Sequence, residues 1–251
     1  EANMSYALRH LIIDATLVDW GLLLFNEDNN FDLHPIVRRY AYDRLGDKKI
    51  THIKLKEYFN SNLPWVEKVK SLDEISPIMD LYYHTAKAGE YEKALKLYIT
   101  RLDIELYSWF GAYQIIVELL QLQFPEGFNK DLCLLGEKDQ AIVLNKLGRA
   151  YDKLGQTRLA MYAYNRAVEI AEIYCDKDDL DVYRSDLSSL LIDLGRLELV
   201  GKNLKYNVRK PIKNIGQLNL ASCYGYLLSI EGFYTKSIYL FNDMIKRLNK
   251  G

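Results

Sequence analysis

The chain has 251 residues, 33 Lys and Arg against 34 Asp and Glu, and 49% hydrophobic residues, an ordinary composition for a soluble globular protein of one or two domains. A formal net charge of -1 leaves no basic excess to neutralise phosphates, which disfavours a dedicated nucleic-acid or membrane-surface protein. Five prolines and fourteen glycines beside twenty tyrosines fit long helices joined by few turns better than a turn-dense β sandwich.

The cysteines Cys133, Cys175 and Cys223 form neither a CxxC motif nor an even disulfide framework, so a reducing compartment, the cytoplasm, is expected. No stretch reaches the roughly 18 consecutive apolar residues of a membrane span. The opening Glu1-Ala2-Asn3 lacks a basic n-region and an apolar h-region, and it reads as the start of a piece cut from something longer.

In chain order, Leu8, Leu11, Ile12, Ala15 and Val18 recur at three- and four-residue steps, which predicts an amphipathic helix over Tyr6 to Val18. Leu22 to Phe25, the turn-rich Asn26 to Asn30, and Phe31 to Leu33 read as a short β-hairpin. Pro35 then opens a second helix, carried by Ile36, Val37, Tyr40, Ala41 and Leu45 and ended by Gly46. Helix, two-stranded wing and helix resemble the tail of a winged-helix domain. Four basic residues there (Arg9, Arg38, Arg39, Arg44) face seven acidic ones, two of them, Glu27 and Asp28, on the wing tip. That balance repels phosphates and favours a structural role over DNA binding.

The run Leu17-Val-Asp-Trp-Gly-Leu-Leu followed by Phe31-Asp-Leu-His-Pro-Ile-Val-Arg-Arg-Tyr-Ala resembles the winged helix that closes the nucleotide-binding core of STAND ATPases, the signal-transducing class that includes NB-ARC proteins. The resemblance implies that His34 contacts the β-phosphate of ADP held by an upstream nucleotide-binding domain. Pro35 stands where many members carry an aspartate. A second reading has His34 capping its own helix or packing in the hairpin. No GxxxxGK[ST] run occurs, so no loop of backbone amides with its lysine cradles phosphates here. The expectation is a non-enzyme that holds no cofactor itself, with ADP or ATP belonging to the implied full-length protein.

Residues 47–74 read as connecting helices, with Lys48, Lys49, Lys54, Lys56, Lys68 and Lys70 on a solvated face. Beyond them the sequence repeats itself. The clearest copy runs from Ala141 to Ile170 as helix, glycine turn and helix, with Leu147-Gly148, Tyr151, Gly155, Ala160, Tyr164 and Ala167 as its marks. An earlier copy carries Tyr82, Gly89, Ala94 and Tyr98, and a later one Gly225, Gly232, Ser237 and Phe241. Glycine is needed where the chain leaves the first helix left-handed, and small residues where the two helices cross. This pattern resembles the tetratricopeptide repeat. Tyr107 to Phe124 and Asp178 to Val200 are helical but do not complete it, and they read as degenerate repeats.

The predicted fold is therefore all-α: a winged-helix remnant with a short β-hairpin (1–46), connecting helices (47–74) and a tetratricopeptide-like right-handed superhelix (75–251). Its concave face, lined by the first helix of each pair, is expected to hold a protein or peptide ligand through Asn145, Arg149, Tyr83, Lys87, Arg196 and Tyr226. Asn145 and Arg149 share a helix face and could together grip a carboxylate or a peptide backbone. Lys202, Lys205, Arg209, Lys210 and Lys213 read as an exposed basic loop. The scattered His10, His34, His52 and His84 give no metal-ligand spacing. The resemblances imply the ligand-sensing arm of a STAND-type ATPase switch. A transcriptional regulator with a DNA-binding winged helix, or a free-standing adaptor or co-chaperone, stays open.

Overall fold

The computed structural model describes residues 19–25, 31–63, 69–124, 126–127, 135–204 and 215–248. The expected helix at Tyr6 to Val18, the turn at Asn26 to Asn30 and the basic loop at Lys205 to Lys213 lie outside them. The chain divides into two compact units, Glu1–His52 and Ile53–Gly251.

In the first unit, β1 (Leu23–Phe25) pairs antiparallel with β2 (Phe31–Leu33), Leu24 opposite Asp32. The helix α1 (Pro35–Asp43) follows, with Pro35 in the first turn, where a missing N–H costs nothing. His34 is its N-cap: the backbone N–H of Ile36 donates to His34 Nδ1 at 3.3 Å. Tyr42 Oη lies 3.1 Å from Nε2 of the buried His52. His52 belongs to α2 (Lys48–Ser61), within which the two units divide.

The second unit is built from helical hairpins. The first is α3 (Leu72–Lys87) with α4 (Tyr91–Arg101). A π turn at Glu105–Trp109 and the short α5 (Tyr113–Leu120) lead to the second, α6 (Glu137–Lys153) with α7 (Thr157–Tyr174). The third is α8 (Lys177–Asp193) with α9 (Leu197–Leu204), and the fourth α10 (Ile215–Ile230) with α11 (Tyr234–Leu248).

All four turns are built alike. Gly89, Gly155, Gly195 and Gly232 have φ of 86°, 70°, 67° and 84°, the left-handed region that a side chain strains. The next residue in each turn donates its N–H back across the helix end: Glu90 to Thr85 O, Gln156 to Tyr151 O, Arg196 to Leu191 O and Phe233 to Leu228 O. These bonds satisfy carbonyls that the ending helix would otherwise orphan. The segment from Asp178 to Val200, read as a degenerate repeat, turns at Gly195 like the others.

Counting from the turn glycine, the residue seven before it meets the residue nine after it in the first, second and fourth hairpins. A Cβ on Gly148 would sit 2.6 Å from the Tyr164 ring, and one on Gly225 would sit 2.6 Å from Phe241. The third hairpin places Ser188 in the small position, and Asn203 Nδ2 donates to its hydroxyl at 2.7 Å. The first hairpin solves the crossing differently. Tyr82 and Tyr98 meet edge to face at 6.0 Å, and the Tyr82 hydroxyl donates to Leu119 O at 3.0 Å. Five residues past the turn, Ala94, Ala160, Val200 and Ser237 are all buried.

One apolar core runs from Ile75 in α3 to Leu227 in α10, and α11 buries Leu240 and Met244 with Ala221 in a second, smaller cluster. The larger core is continuous because α7 packs on α8, and α8 packs on α10. Each hairpin thus buries against its neighbour the apolar surface that it could not cover alone, as stacked repeats require.

Candidate functional site

The first helices α6, α8 and α10 carry polar side chains at two repeat positions. Position six before the turn glycine holds Tyr83, Arg149, Ser189 and Tyr226 in the four hairpins, and position ten before it holds Met79, Asn145, Ser185 and Ser222. Three of the six residues singled out from the sequence therefore occupy one repeat position. Lys87 follows Tyr83 one turn later, its ammonium 5.7 Å from the Tyr83 ring.

Asn145 is 5% exposed, and its amide is spent inside the molecule: Nδ2 donates to Asp186 Oδ2 at 3.0 Å. The Arg149 guanidinium lies over the Tyr107 ring at 4.1 Å. The expected grip of Asn145 and Arg149 on a ligand carboxylate thus meets a carboxylate already supplied by α8. Burial pushes the Asp186 carboxyl above the usual range, while the Asn145 donor, Arg149 and Lys146 hold it back. Lys146 itself is paired with Asp103 at 2.6 Å.

Between α8 and α10 lies a cleft of about 460 Å³, within the range of ligand pockets, roughly 300–1,000 Å³. Asp186 and Asp193 line it from α8, Asn219, Ser222 and Tyr226 from α10. Tyr226, 59% exposed, holds its ring edge to face with Phe241 at 5.7 Å. Arg196 lies elsewhere. It borders a second cleft, of about 340 Å³, with Arg184, Glu172 and Asn203, where Arg184 pairs with Glu172.

Sequence reasoning missed Asp186, Asp193 and Asn219. The signal existed: once Gly195 is accepted as a turn glycine, counting back nine residues from it reaches Asp186, one register step from Asn145 in the preceding hairpin. The same neighbour contact recurs further along, where Cys223 Sγ lies 3.7 Å from Ser185 O. His34 uses its Nδ1 to cap its own helix. Among the described residues no group of three or more His, Cys, Asp or Glu is arranged to hold a metal ion, and no helix is long and apolar enough to cross a membrane.

No family model matches the chain, and no curated protein matches it. Solved structures do. One is a protein of Podosopora anserina described as a kinesin light chain with nearly identical TPR-like repeats, 12% identical, with a TM-score of 0.44, covering 86% of this chain and 92% of that one. A single-residue variant of the same protein gives a TM-score of 0.45 at the same identity and coverage. The repeat architecture of this chain rests on its own four hairpins and their left-handed glycine turns.

Proposed function

We propose that the chain is a non-catalytic interaction module whose first helices hold a protein or peptide segment along one face. The observation that carries this reading is the cleft between α8 and α10, open to solvent, which the exposed Tyr226, in repeat register with Arg149 and Tyr83, lines together with Asp193. Side chains that stacked repeats do not need for their own packing are available for recognition. The finer reading makes this module the sensor arm of a cytoplasmic STAND-type ATPase. An upstream nucleotide-binding domain would present ADP to His34. Ligand binding to the repeats drives such a switch only as far as the ligand prefers the open state.

The test is capture of partners by the 251-residue chain with a photo-crosslinker in place of Tyr226, compared with Arg149→Ala and Tyr83→Ala variants. A partner segment cross-linked at position 226 and lost from either variant supports the recognition surface. Equal capture by wild type and both variants overturns it.

A further inference from the structure

The cleft between α8 and α10 has a one-sided chemistry. Its two charged lining residues, Asp186 and Asp193, are both carboxylates. Two of the hydroxyls beside them are already donating: Ser185 Oγ to Val182 O at 2.7 Å, and Ser222 Oγ to Leu218 O at 3.0 Å. Each hydroxyl has one proton and two lone pairs, so the half-buried Ser222 keeps acceptor capacity for an occupant, whereas Ser185 is buried. The cations that act on Asp186, Arg149 and Lys146 on α6, are engaged with the Tyr107 ring and with Asp103. A third carboxylate, Asp152 on α6, is pushed above its usual range first by burial and also by Asp193, with Lys153 beside it drawing the other way.

The exposed face of Tyr226 completes the set. An aromatic ring beside carboxylates attracts a planar cation through its quadrupole, and a guanidinium can stack on the ring while forking onto a carboxylate. Resting on the recognition role argued above, we propose that this cleft receives a basic side chain, arginine before lysine, from the polypeptide segment that the repeats hold. A glutamate or aspartate side chain would meet like charge from Asp186 and Asp193.

Two fluorescein-labelled octapeptides on a Gly/Ser background test this by anisotropy with the whole chain, one carrying two arginines and the other two citrullines, which match their shape without the charge. The arginine peptide is expected to bind about tenfold more tightly. Asp193→Asn, an exposed and isosteric change, and Tyr226→Leu, which keeps apolar contact with Phe241, are each expected to weaken it about two- to fivefold. Unchanged far-UV circular dichroism separates these losses from unfolding. Equal affinity for the two peptides, no measurable binding of either, or indifference to Asp193→Asn overturns the assignment. Such a result leaves the cross-linked capture at Tyr226 standing, whereas loss of that capture removes the recognition role itself.

Discussion

At the scale of single residues, buried and half-buried polar groups tie the hairpins into one register. Gln123 is fully buried, and its Nε2 donates to the Tyr82 hydroxyl at 3.1 Å, which in turn reaches the end of α5. Breaking such a link strands a buried polar atom at a cost of about 1–3 kcal/mol. His84 shows how pH enters. Its ring stacks on Phe59 at 5.5 Å and meets the edge of Tyr83 at 5.2 Å, and burial holds its pKa below the ordinary value. A base depressed in the folded state binds its proton more readily when unfolded. Its contribution is therefore complete above the unfolded pKa, about 6.5, and is lost as pH falls through the lower folded value. Urea midpoints are expected to drop between pH 7 and pH 5, and the drop to be smaller in His84→Phe; an unaltered slope in that variant would contradict the assignment.

At the scale of the element, the hairpin crossing decides which glycines matter. Gly148 lets the Tyr164 ring lie directly on the helix α6, and both rows of the crossing are buried. A methyl there must displace a ring that has nowhere to go, against the roughly 1 kcal/mol that alanine gains over glycine in a helix. Gly148→Ala is expected to lower stability by about 1–2 kcal/mol net. Gly201, in α9 with open space around its Cβ position, supplies the control: Gly201→Ala is expected to raise stability by about 0.5–1 kcal/mol. Denaturant titration of the pair reads both signs, and a stabilised Gly148→Ala would remove the crossing argument. These elements were largely legible beforehand, because Gly155, Ala160 and Tyr164 announce a hairpin by residue type alone. The third hairpin was not, because Ser188 and Leu204 occupy positions where the clear copy has glycine and tyrosine. Its crossing is closed by the Asn203 to Ser188 hydrogen bond instead, a pairing no spacing rule anticipates.

At the scale of the whole second unit, stability is passed from hairpin to hairpin. A Cβ on Gly216 would stand 2.8 Å from the backbone nitrogen of Val182 and 3.2 Å from Asp178 O. Backbone cannot rotate aside as a ring can, so this contact sets how closely α10 approaches α8. Because each repeat is stabilised by its neighbours, Gly216→Ala is expected to loosen the last hairpin selectively. Amide hydrogen exchange should then quicken at least tenfold over α10 and α11, with α6 and α7 little changed. Uniform acceleration across the unit would show that the hairpins unfold together rather than in series.

The sequence alone determined the hairpin repeat, because a left-handed turn and a close helix crossing each admit few residue types, and those types recur in register. It also singled out Tyr83, Arg149 and Tyr226, which share the position six before the turn glycine. Only the tertiary structure decided what those residues can reach. Asn145 and Arg149 looked like a clamp for a carboxylate until α8 brought Asp186 to within 3.0 Å of the Asn145 amide. Arg196 was set beside a different cleft from Tyr226. Side-chain type follows from one helix, but the charge of a cleft follows from two, and their juxtaposition is fixed by packing across some forty residues of chain.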